Sequence, residues 1–238
     1  MSRIESLNLS RWLVCLLLPL MALAAQAHPY TNLSVAVYFR YQEVHSIPAR
    51  LDQFSNQWAN IEKQVKVSKV YLETTRNAQL ATESDVMALK KFFTEQGIKA
   101  SGGLGLTANE PNGFQSYCYS TPADCDKVKA MTEFTARYFD EIILDDFFFS
   151  NCKCERCLAA KGGKSWTQFR TEQMDDVSRH LIINPARAVN PNVRIIIKYP
   201  NWYESFQALG YDLVVQPRLF DAIYTGTETR DANSGQRL

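Results

Sequence analysis

The chain has 238 residues, of which 46% are hydrophobic, with 26 basic residues set against 25 acidic ones. That near balance gives no electrostatic case for nucleic acid or an anionic membrane surface as a partner, and it leaves a neutral substrate open. The apolar content is enough for a buried core, and the length fits one domain behind a removable leader.

Residues 1–27 carry Arg3 and Arg11, then the apolar block WLVCLLLPLMALAA, then AQA before His28. This order of charged, apolar and small-residue segments is that of a secretory signal peptide cleaved after Ala27. The apolar block falls short of the ~20 residues of a membrane span, and Cys15 lacks the small residues that precede a lipid-modified cysteine. The sequence thus predicts a secreted or periplasmic protein, off the membrane once the leader is removed, with residues 28–238 as its single domain.

After the leader, short apolar runs alternate with longer amphipathic ones. LSVAVYFRYQ (33–42) reads as a strand, and ARLDQFSNQWANIEKQV (49–65) as a helix, because Leu51, Phe54, Trp58, Ile61 and Val65 recur at helical spacing. A strand at 68–75 and a helix at 82–97 follow, the helix opening on Thr82 with Asp85 three residues on and closing at Gly97. IKASGGLGLT (98–107) reads as a third strand with a bent glycine end. The helix at 121–139 has Thr121 as its cap and Pro122 at its first position. Strands at 140–148, 192–200 and 220–228 flank a helix at 165–182. Trp58 and Trp166 read as core, and His28, His45 and His180 show no ligand spacing.

Alternating βα units with apolar strands argue for a parallel sheet covered by helices. A doubly wound nucleotide-binding sheet wants a glycine-rich loop after its first strand, whereas this chain continues RYQEVHSIPAR. The fold expected is therefore α/β, a (β/α)₈ barrel of the TIM type, truncated after about six βα units and incomplete at its C-terminal end.

A barrel places its chemistry at the C-terminal strand ends. Those ends carry Arg40, Glu73, Arg76, Glu110, Asp145, Asp146, Lys198, Tyr199, Asn201, Trp202, Tyr203 and Glu228. Asp145 and Asp146 stand out, since two adjacent carboxylates between IIL and FFF are costly to bury without a partner or a function. Strand alternation lets only one of them face the barrel mouth. The second carboxyl of a glycosidase pair would come from Glu228, Glu73 or Glu204. Arg40, Lys198, Tyr199, Asn201, Trp202 and Tyr203 are the candidate substrate-binding residues, the aromatics offering flat faces with polar tips. No Gly-x-Ser-x-Gly elbow or His-Glu-x-x-His helix is present.

The stretch FDEIILDDFFF resembles the fourth strand of glycoside hydrolase-like barrels, and the CKCERC that follows, with Cys118 and Cys125 upstream, is similar to the cysteine cluster of family 42 β-galactosidases. That resemblance implies a structural zinc just past the fourth-strand acid; the departure is Asp145-Asp146 where that family has Asn-Glu. By spacing alone, Cys152, Cys154 and Cys157 are too close to pair easily with one another but can wrap one tetrahedral zinc with a fourth ligand. Cys118 suits that place better than Cys125, which falls inside a predicted helix. In an exported chain disulfides are the competing state, and five mature cysteines leave one unpaired. The expected function is a glycoside hydrolase acting on a poly- or oligosaccharide through paired carboxylates, with a structural zinc at most and no organic cofactor. The alternative is a non-catalytic carbohydrate-binding or structural barrel module.

Overall fold

The computed structural model describes residues 32–200 and 205–226. Its main sheet runs β1 (Val35–Phe39), β2 (Val67–Arg76), β4 (Lys99–Leu104), β7 (Glu141–Leu144), β8 (Arg194–Tyr199) and β9 (Ala222–Thr225), and every junction along that path is parallel. The short β3 (Gln79–Leu80) returns antiparallel to β2, and β5 (Thr107–Asn109) with β6 (Gln115–Ser116) makes a hairpin beyond the strand ends. Order in the sheet equals order in the chain, so the strands wind one way with no switch point, as in a barrel and unlike a doubly wound sheet. Six parallel strands of a curled half-barrel are described.

The crossovers carry α1 (Tyr41–Ser46) and α2 (Leu51–Gln64), then α3 (Glu83–Thr94), α4 (Pro122–Tyr138), α5 (Glu155–Lys161), α6 (Trp166–Val177), α7 (Asn184–Val189) and α8 (Phe206–Leu209). Several boundaries differ from the sequence reading. The first strand stops at Phe39, and Arg40 turns the chain into α1, so Tyr41 and Gln42 are helical. The helix from Trp166 runs on through a π-turn at Ser178–Ile183 into α7, which absorbs Pro185 near a helix start. Thr82 caps α3 as expected, its hydroxyl accepting from the Asp85 N–H at 3.1 Å, whereas Thr121 makes no side-chain cap and Pro122 alone marks the start of α4. Trp58 is 1% exposed in an aromatic cluster with Phe39, Phe54 and Phe93, as predicted. Trp166, expected in the core, is instead half-buried beneath Lys153, Lys161 and Arg170.

Side-chain alternation splits each strand between the helix-covered outer face and the concave inner one. Ile142, Leu144, Ile195 and Ile197 go to the core, while Tyr38, Glu73 and Lys198 face inward. Gly103 in β4 and Gly105 just past it are what lets long inner side chains meet. A Cβ on Gly103 would lie 2.8 Å from the Tyr38 hydroxyl, and one on Gly105 would lie 2.2 Å from Glu73 Oε1 and 2.9 Å from the Thr75 carbonyl. The GGLG run is therefore room for a polar interior, not merely a bent end.

That room is used at both ends of the half-barrel. At the N-terminal end the buried Glu141 accepts from Lys69 at 2.5 Å, Arg194 at 3.0 Å, Ser101 at 3.1 Å and Lys99 at 3.4 Å. Burial alone would raise its pKa, but the Lys69 hydrogen bond and the surrounding ammonium groups reverse this and bring it down from 4.5 to about 2. A depressed carboxylate stabilises the fold fully above its unfolded value and ceases to do so as pH falls through its folded value. We expect a contribution on the order of 3 kcal/mol that disappears between the unfolded pKa of 4.5 and the folded pKa of about 2. Urea unfolding of Glu141→Gln from neutral pH down through that window should show lower stability at neutral pH and a flatter acid limb than the parent chain.

Candidate active site

Glu73, at the inward end of β2, is 0% exposed. Its two oxygens accept from Tyr38 Oη at 2.9 Å, the Tyr41 N–H at 2.7 Å, Arg76 Nε at 2.8 Å and Arg76 Nη2 at 2.7 Å. Burial, the strongest influence, pushes the carboxyl up against the pull of Arg76. Yet every partner is a donor, which is the environment of an ionised carboxylate, and Arg76 supplies the counter-charge. Glu73 is not among the residues that line the cavity, and its oxygens hold the Arg76 guanidinium.

The same guanidinium reaches across β4 to Asp145, with Nη2 2.7 Å from Oδ2, and Nη1 lies 3.3 Å from Glu110 Oε1. Lys198, inward on β8, closes the chain of charges: its ammonium lies 3.2 Å from Asp145 Oδ1 and 3.2 Å from Asp146 Oδ2. Burial works to lower the Lys198 pKa, but the two carboxylates outweigh it and hold it above its usual range. Asp145 and Asp146 are 7% and 6% exposed. The expectation that only one of them faces the mouth is overturned, for both line one cavity. β7 ends at Leu144, and the Phe148 N–H closes a turn on the Asp145 carbonyl at 3.2 Å, so strand alternation no longer applies at Asp146.

The cavity, of about 1200 Å³, lies along the concave face, lined by Ala36, Tyr71 and Ile143 within the strands and by Arg40, Arg76, Asp145 and Asp146 at or just beyond their C-terminal ends. Arg40 lines it, half exposed and 3.5 Å from Glu110, as does Lys198. Tyr199 does not: period two turns it to the helix side, where it is 3% exposed against Phe206 and Tyr211. Its assignment to substrate binding is corrected to core packing. Asn201, Trp202, Tyr203, Glu204 and Glu228 lie outside the described residues, as do the leader and His28. The sequence reading placed Arg76 and Glu110 at the rim without assigning them a role, and it missed Tyr38, Phe114 and Phe147. Tyr38 could have been found as the inward neighbour of Arg40 by alternation; nothing local marks Phe114.

The loop beyond the acid pair ends in the cysteine cluster. The sulfurs of Cys118, Cys152, Cys154 and Cys157 all lie within 4.8 Å of one another. Cys118 is 3.5 Å from Cys157 and 3.6 Å from Cys154, and Cys154 is 3.7 Å from Cys157. A tetrahedron of metal–sulfur bonds of ~2.3 Å has edges of about 3.8 Å, so the thiols are spaced to hold one metal ion. All five described cysteines are free, with these separations far beyond a disulfide bond. Cys125 sits within α4, as predicted, and bonds the Tyr119 carbonyl. The Cys157 N–H, followed by Cys118, holds the Cys154 thiol down to about 7, while burial pushes the Cys152 and Cys157 thiols up.

A family profile described as "Probable glycosyl hydrolase, catalytic domain" matches residues 22–238. An uncharacterized protein of Saccharolobus solfataricus is 28% identical over 197 residues, 71% of this chain and 33% of its own length, so the chain spans about a third of that relative. Among solved structures, alpha-L-fucosidase isoenzyme 2 from Paenibacillus thiaminolyticus aligns with a TM-score of 0.45 at 14% identity, over 68% of this chain and 32% of that one. The beta-glucosidase from Thermotoga maritima aligns with a TM-score of 0.37 at 8% identity, over 72% of this chain and 49% of that one.

Arg76 is the cation bonded to the buried Glu73, so Arg76→Met strands that carboxylate and should cost about 3–5 kcal/mol. Glu73→Leu should cost less, because Arg76 keeps Asp145 and Glu110. The double replacement should cost clearly less than their sum, and a denaturant double-mutant cycle measures the difference.

Proposed function

Because the chain belongs to the family of probable glycosyl hydrolase catalytic domains, we propose that it supplies the catalytic face of an exported glycosidase acting on a poly- or oligosaccharide. The observation that carries this reading is the placement of Asp145 and Asp146 together in one cavity at the C-terminal strand ends, bridged by Lys198.

Glycoside hydrolysis needs one carboxyl that stays ionised and one that delivers a proton. Asp145, between Arg76 and Lys198, is the ionised partner, placed to act as nucleophile or base or to stabilise an oxocarbenium-like transition state. Asp146 faces the same space and shares the ammonium of Lys198. Each described carboxylate of the cavity is paired with a cation, so the proton donor is assigned to Glu228, three residues past β9, whose Tyr224 lines the cavity. Arg40 and Lys198 are the polar contacts to substrate among the described residues, with Asn201, Trp202 and Tyr203 proposed beside them. Glu73 acts through Arg76 by holding the guanidinium against Asp145.

The four-cysteine cluster is proposed to hold a structural zinc. Cys152 lies six residues past Asp146, so a metal there would restrain the loop that carries the acid pair. The chain's own export follows from the leader read in residues 1–27, the mature protein beginning at His28, which intact mass of the exported product would display.

Screening the full chain against a panel of polysaccharides and aryl glycosides is the first test. On whichever substrate responds, Asp145→Asn and Asp146→Asn should lower kcat, the catalytic one by on the order of 10²–10⁴-fold. Glu228→Gln should remove the basic limb of the pH profile. Full activity in both aspartate variants ends the catalytic reading, and saccharide binding without turnover by the parent chain favours a non-catalytic module. For the metal, purified protein should contain about one equivalent of zinc, and Cys154→Ser should lose it with a lower melting temperature. A metal-free parent with the same melting temperature would overturn that assignment.

A further inference from the structure

The turn of the β5–β6 hairpin holds an aromatic side chain in the lining of the cavity that contains the acid pair. Phe114 is 45% exposed, and it sits at φ 54°, the left-handed region, directly after Gly113 at φ 62°. A bulky residue there carries conformational strain, which persists where the surroundings hold it and is concentrated at functional sites. The surroundings do hold it: the Phe114 N–H donates to the Glu110 carbonyl at 3.0 Å, and its own carbonyl accepts from Asn151 Nδ2 at 3.1 Å. A second tie runs from the Ser116 N–H to Asn151 Oδ1 at 2.9 Å.

The ring lies nearly parallel to Phe147, with centroids 5.3 Å apart and planes 9° from each other. Phe147 also carries the Arg76 guanidinium, 4.9 Å from its ring centroid. Phe114 is therefore stacked on a ring that contacts the guanidinium fixing Asp145, and both rings line the cavity. A half-exposed ring held in a strained backbone, lining the same cavity as the acid pair, offers a flat apolar surface to a flat apolar ligand face.

We propose that Phe114 is the stacking platform of a saccharide subsite, taking the apolar face of a neutral pyranose ring beside Asp145 and Asp146. The inference rests on the glycosidase reading above. Neutrality follows from the lining: Arg40, Arg76 and Lys198 are matched by Glu110, Asp145 and Asp146, leaving no net charge to select an acidic sugar. Arg40 and Glu110 stand at the cavity wall to meet ring hydroxyls.

The test compares Phe114→Ala, Phe114→Gly and Phe114→Trp in the full chain, with neutral tetrasaccharides of glucose, xylose, mannose and galactose and their aryl glycosides as probes. Hydrolysis is followed by kinetics and binding by saturation-transfer NMR. Phe114→Ala and Phe114→Gly should raise KM, or weaken binding, about 10-fold, the size of one aromatic stack, with kcat within about twofold. Phe114→Trp should keep the parent affinity. Phe114→Gly should melt no lower than the parent, because glycine accepts the left-handed backbone without strain. Turnover with KM unchanged in Phe114→Ala overturns the subsite and leaves the glycosidase reading intact. Binding without turnover, lost in Phe114→Ala, upholds the subsite and ends the hydrolytic reading. Neither binding nor turnover by the parent chain overturns both, and a lowered melting temperature with kcat and KM failing together in every variant reduces Phe114 to a structural residue.

Discussion

One guanidinium organises the polar interior of this protein. Arg76 is 3% exposed, and from the end of β2 it holds the buried Glu73 on one side and Asp145 on the other. Three strands meet through that contact, since Asp145 leaves β7 and β4 lies between. Such an ion pair adds little stability over an apolar substitute, because the Coulomb attraction is largely spent on desolvation. Its effect is positional: Asp145 is set toward the cavity with its charge matched, and Phe147 is clamped under the same cation. Gly105, just past β4, is the enabling condition, for a Cβ there would lie 2.2 Å from Glu73 Oε1.

The rest of the cavity wall is tied to that centre by continuity of the chain. Asp145, Asp146, Phe147, Asn151 and Cys152 follow one another within eight residues. Asn151 exchanges hydrogen bonds with Ser116 across the hairpin, and Cys118, two residues beyond Ser116, meets Cys152 in the cysteine cluster. Acid pair, aromatic hairpin and thiol cluster are thus one connected structure, in which the cluster joins the two segments that flank the cavity. Arg170 extends the connection, donating to the Cys152 carbonyl at 3.4 Å and to the Ala208 carbonyl at 2.6 Å. The Ser150 N–H reaches Leu209 at 2.9 Å, and Leu209 lines the cavity.

Two charge clusters divide the inner face of the half-barrel. Glu141 with its cations fills the N-terminal end, and the Glu73–Arg76–Asp145–Lys198 chain fills the C-terminal end. Tyr38, Tyr71 and Ile143 lie on the same inner face, lining the cavity. The division matches the usual barrel economy, in which one end contributes stability and the other carries chemistry.

The alternation of apolar strands with amphipathic helices was enough to give a parallel sheet wound in one direction, because hydrophobic periodicity is a local property that tertiary contacts reinforce. The acid pair at the end of an apolar run and the Cys-x-Cys-x2-Cys spacing were equally legible, and Cys118 was recoverable because Cys125 is committed to α4. What periodicity could not supply was the direction of side chains once a strand ends: Asp146 joins Asp145 in the cavity because a turn replaces the pleat after Leu144. Tyr199 left the site for the opposite reason, since within β8 the pleat still holds. The surroundings of Glu73 were not legible either, because only the folded chain brings Tyr38, Tyr41 and Arg76 around it. Sequence by itself determined the order of elements and the chemical types at their ends; the tertiary structure decided which of those groups share one space, because that depends on contacts between segments dozens of residues apart.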